Sequence, residues 1–178
     1  MPVDPKFEVP LRKMLGHATR NELQELAALA AAEGDEMYLT GLKLCVPICG
    51  YIVVEAAGRW PLESDRRAAA RRAVSSPAGL PLAEHDVYAF LSRAVFGFEA
   101  IDAVFTKTEK IVQVPMFTAA SLLLAHRPED LDWSGYLDRV WGAFDATEQA
   151  PVEVLPALTY RVKADAARAR QTAQQTAG

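Results

Sequence analysis

Cys45 and Cys49 stand four residues apart, so on a helix they share one face, and two thiolates at that spacing offer half of a tetrahedral zinc site. The other half is missing. The chain holds no further cysteine, and His17, His85 and His126 are far apart in sequence. Free thiols are among the most frequently buried side chains, so the expectation is core packing, with neither a metal nor another cofactor.

A second set lies near the middle of the chain. Asp102, Thr106 and Glu109 fall at i, i+4 and i+7, which continues a helical face begun by Val95 and Phe98, with Glu99 at its edge. A desolvated carboxylate there is a candidate general base or a grip for a polar ligand, with Lys43 as an additional partner; beyond the end of the core the same groups simply meet water. A third set is the short run Arg66, Arg67, Arg71 and Arg72. Such a comb suits an acidic protein surface or a phosphate, although it lacks the interleaved aromatics on which nucleic-acid bases stack. Trp133, Tyr136, Trp141 and Phe144 form an aromatic face whose strict helical spacing favours core packing over a ligand pocket. No GxGxxG, no GxxxxGK followed by Ser or Thr, no GxSxG and no HExxH occurs, which removes the enzyme classes those motifs mark.

These residues must be positioned by helices. Alanine is the commonest residue and clusters in stretches such as ELAALAAAEG and RRAAARRA, so the expected class is all-α, a single-domain bundle of about six or seven helices. Residues 1–18 contain three prolines and are expected to form an extended arm ahead of a helical domain over 19–171 and a frayed tail over 172–178. Thr19 and Glu22 have the spacing of a capping box, and Leu23, Leu26, Ala27 and Ala30 line the helix it would start, with Gly34 as its stop. Met37–Ala57 is apolar nearly all round and expected to be buried, with Pro47 breaking it and Gly58 ending it. Cys45–Val54 as a strand, paired with Lys110–Val114, is the alternative. A short Ala- and Arg-rich helix follows at 62–75.

The strongest period runs over Val87, Leu91, Ala94, Val95, Phe98, Ile101 and Phe105 and predicts a central helix near residues 84–112. Pro115 is expected to interrupt the next segment, leaving a short helix over 116–126. Asp132 then caps an aromatic helix, and a last helix carries Val154, Leu155, Leu158 and Val162.

The 178 residues are 51% hydrophobic and 24% charged, with a formal net charge of −4 divided evenly between the two halves. That fits one globular domain and gives no basic footprint for nucleic acid. The longest uncharged apolar run, Leu44–Val54, is about half of the ~20 residues a membrane span needs, and no leader is visible, so a cytoplasmic location without membrane contact is expected. His126–Pro156 carries seven acids against two bases, an opposite to the arginine run. The leading functional expectation is therefore a non-catalytic helical interaction or assembly protein, whose partner is another protein or a second copy of itself. An enzyme or small-molecule-binding domain with an apolar pocket near Asp102 and Glu109 comes second, and a nucleic-acid regulator last.

Overall fold

A computed structural model describes residues 5–95 and 108–148. Among them every regular element is a helix: α1 Pro5–Thr19, α2 Leu23–Glu33, α3 Asp35–Ala57, α4 Glu63–Val74, α5 Glu84–Ala94, α6 Thr108–His126 and α7 Trp133–Glu148. The strand considered for Cys45–Val54 is instead the middle of α3. The seven helices form one bundle, as the alanine content and apolar periods require.

The expected N-terminal arm is corrected, because residues 5–19 are helical. Pro5 occupies the first helical position, where a missing N–H costs nothing, while Pro10 lies inside the helix and removes one backbone hydrogen bond. Against that loss of about 3 kcal/mol stand Leu11, Met14, Leu15 and Ala18, all fully buried at helical spacing. Complete burial of each large side chain is worth about 1.5–3 kcal/mol, so the apolar stripe outweighs the proline.

The same competition has the same outcome twice more. Pro47 lies inside α3 and Pro115 inside α6, and both helices run through. The expected break at Pro47 and the expected start of the later helix at Met116 are both corrected. Cys45, Ile48, Cys49 and Ile52 on α3, and Met116, Ala119, Ala120, Leu122 and Leu123 on α6, are at most 1% exposed. Helices enclosed this far keep their path because leaving it would return those side chains to water.

These two helices form the hub. They pack on each other more extensively than any other pair, and each also touches α1, α4, α5 and α7. Cys45 Sγ lies 3.9 Å from Met116 Sδ, and ten residues further along both helices Glu55 lies within the electrostatic reach of His126, so α3 and α6 run parallel. The stretch 84–112, expected as one central helix, comprises α5, which ends at Ala94, and the beginning of α6; 96–107 lie outside the described residues. Val87, Phe90, Leu91, Ala94 and Val95 are buried as their spacing predicts.

Local signals fared unevenly. The capping box is absent: Thr19 Oγ1 donates to the Gly16 carbonyl at 2.8 Å, inside α1, and Asn21 takes a positive φ of 56° to turn the chain. Glu22 instead accepts from Arg20 Nε at 2.9 Å and lies 2.8 Å from His17 Nδ1, contacts that hold its carboxyl down at about 2. Of the stripe expected on α2, Leu26 is buried, while Leu23 and Ala27 are exposed. Asp132 does cap α7, accepting from the Gly135 N–H at 2.7 Å. Gly58 closes α3 in the left-handed conformation, its N–H donating to the Val54 carbonyl. By length and composition α3 is able to cross a membrane; here it is the core helix, with five neighbours covering it beyond α2.

The helix expected after Pro151 and the frayed tail fall outside the described residues.

Candidate functional site

A polar cluster that joins two core-packed helices surrounds Glu55, near the C-terminal end of α3. Tyr51, one turn earlier, donates its hydroxyl to Oε1 at 3.2 Å. From α7, Tyr136 donates to Oε2 at 2.6 Å and Arg139 Nη2 donates to Oε1 at 2.6 Å. Three donors on two helices therefore converge on one carboxylate. Spacing explains the convergence: Tyr51 and Glu55 are four apart on α3, and Tyr136 and Arg139 three apart on α7, so each pair shares a helix face.

Burial decides what this cluster can do. Tyr136 is 1% exposed, and burial, reinforced by the hydrogen bond to Glu55, pushes its phenol far above the ordinary tyrosine range. It stays protonated and serves as a donor. With both carboxylate oxygens engaged, Glu55 acts as a clamp between α3 and α7 rather than as an open proton acceptor. Phe144 adds an edge-on contact to Tyr51 and another to Trp141, with centroids 6.0 and 5.6 Å apart. A second clamp holds the other edge of α7: Arg12 of α1 donates to Ser134 Oγ at 2.7 Å and pairs with Glu8 and Asp138.

His126, the last residue of α6, lies within electrostatic reach of Glu55 without bonding to it. Its Nε2 is buried without a hydrogen-bond partner among the described residues. Burial and then the charge of Arg72 on α4 push its pKa below the usual 6.5, against a smaller opposing pull from Glu55. The imidazole is thus held neutral.

The arginine comb is divided by the fold. Arg67 donates Nε and Nη2 to Glu63 at 2.9 and 2.7 Å and lies 4.4 Å above the ring of Tyr88. Arg66 turns inward, with Nη1 donating to the Pro61 carbonyl at 2.8 Å. Arg71 and Arg72 are exposed and have no acid partner among the described residues. The four do not form one continuous surface.

Cys45 and Cys49 are completely buried, and desolvation raises both thiols well above their ordinary range. No group of three metal-ligating side chains occurs among the described residues. The aromatic helix packs inward through Tyr136, Leu137, Val140, Trp141 and Phe144. Asp102, Thr106 and Glu99 lie outside the described residues. Glu109 falls in the first turn of α6, its side chain outside the description, and Lys43 is exposed on α3.

Glu55, Tyr51, His126 and Arg139 were not apparent from the sequence. Their two spacing pairs are visible in it, yet nothing there shows that residues 81 and 84 positions apart meet. No protein-family model matches the chain, and neither does any curated protein or solved structure.

Two measurements check this site. Tyr136→Phe removes a buried donor to a carboxylate and is expected to cost about 1.5–3 kcal/mol in urea unfolding, whereas Arg139→Ala, whose side chain is 51% exposed, should cost less than about 1 kcal/mol; the reverse order would contradict the clamp. For His126 the unfolded chain takes up the proton first, because the folded-state pKa is the lower. Its contribution to stability is complete above pH 6.5 and declines as the pH falls below that value. An NMR titration should place His126 below 6.5, with Arg72→Gln raising the midpoint; a midpoint at or above 6.5 in the parent chain would refute the assignment.

Proposed function

We propose that this chain is a non-catalytic helical interaction protein of the cytoplasm that associates with further copies of itself. The observation that carries the reading is where uncommitted charge lies. Glu55 is engaged by three donors, Glu63 and Asp65 by Arg67 and Arg59, and the thiols are sealed in the core. By contrast Arg71 and Arg72 on α4, and Arg127, Glu129 and Asp130 after α6, face solvent with no ion-pair partner among the described residues. They bring both signs of charge to one end of a helix pair, whereas Lys13, Glu25 and Arg93, also exposed and unpaired, lie on other helices. Charged groups that the fold does not consume are available to another molecule, where they set orientation and encounter rate more than affinity.

Contact made through exposed charges must respond to salt, since the Debye length shrinks from about 10 Å at 0.1 M to about 3 Å at 1 M. Sedimentation velocity is therefore expected to give a mass above 19.4 kDa at 50 mM salt, shifting toward the monomer at 1 M. A 19.4 kDa species at both salt concentrations and at every protein concentration would overturn the proposal.

A further inference from the structure

We propose that the second copy docks about a two-fold axis on the face formed by Arg71 and Arg72 at the end of α4 together with Glu129 and Asp130 in the loop after α6. This deepens the self-association reading above and rests on it.

Adjacency comes first. Helices α4 and α6 pack together, with Ala69, Ala70 and Ala73 of α4 buried. Arg72 lies close enough to His126, where α6 ends, to act on it electrostatically. Arg127 follows that histidine directly, and Glu129 and Asp130 follow it by three and four residues, so three bases and two acids occupy one end of the same helix pair.

Commitment comes second. The first half of α4 spends its charges internally, Arg67 on Glu63 and Asp65 on Arg59. Its second half does not: Arg71 and Arg72 are exposed, as are Arg127, Glu129 and Asp130, and none has an ion-pair partner among the described residues.

Symmetry comes third. A two-fold interface brings one patch against itself, so the patch must carry both members of every pair. Here it does, since the arginines of one copy can meet the acids of the other on both sides of the axis. An inorganic anion or an acidic partner of another kind would use Arg71, Arg72 and Arg127 and would be repelled by Glu129 and Asp130. Exposed ion pairs contribute about 0.2–1 kcal/mol each, so the association is weak, and it works against the net charge of −4 on each copy.

The test uses the full chain in sedimentation velocity at 50 mM salt. R71E/R72E and E129K/D130K should each weaken self-association by on the order of tenfold or more, as expected for several lost pairs turned repulsive. An equimolar mixture of the two variants should restore the dimer, and so should the four-site exchange in a single chain, which also shows that the altered surfaces still fold. If the parent associates while both variants associate equally well, this face is wrong and self-association stands. If only the arginine variant fails, an acidic surface elsewhere is the partner and the two-fold arrangement is refuted. A parent that remains monomeric removes both proposals.

Discussion

The structure depends on the mutual burial of α3 and α6. Each helix carries an internal proline, and each is apolar over most of its circumference, so neither would hold its path alone in water. Together they exclude water from Ile48, Ile52, Met116, Leu122 and Leu123, and the other helices complete the enclosure. Loss of a single backbone hydrogen bond at a proline is small beside burial of several such side chains, which is why the helices run through Pro47 and Pro115.

The same balance governs what could be read from the sequence. Residues with a clean apolar period were legible: Val87, Leu91 and Ala94 on α5, and Tyr136, Leu137, Val140 and Phe144 on α7, are buried as their spacing requires. Caps written in consecutive residues were legible at Asp132 and Gly58. Where a local rule competed with a distant contact, the local rule misled. The prolines of the first 18 residues concealed the stripe Leu11, Met14, Leu15 and Ala18, although that stripe has ideal spacing. Thr19 and Glu22 had the right types for a cap, but the turn after α1 places the hydroxyl on Gly16 and the carboxylate beside Arg20 and His17.

The polar groups follow a related pattern. A carboxylate on a core helix, such as Glu55, must find donors or stay in water, and its donors come from Tyr51 one turn away and from α7 far along the chain. Only the first is foreseeable from spacing. Arginines show the converse: the four of α4 look alike in sequence, yet acids and an aromatic ring nearby absorb Arg67, a carbonyl absorbs part of Arg66, and the remaining two stay in solvent. The surface available to a partner is thus what the interior and its clamps leave over.

Native-state hydrogen exchange on the full chain tests the central claim most directly, because it reports which backbone hydrogen bonds open only with global unfolding. Mutual burial of α3 and α6 predicts that the slowest amides lie in residues 48–54 and 117–123, with protection continuing on both sides of Pro47 and Pro115. Exchange in those stretches as fast as in the largely exposed α2, or protection that ends at either proline, would contradict it.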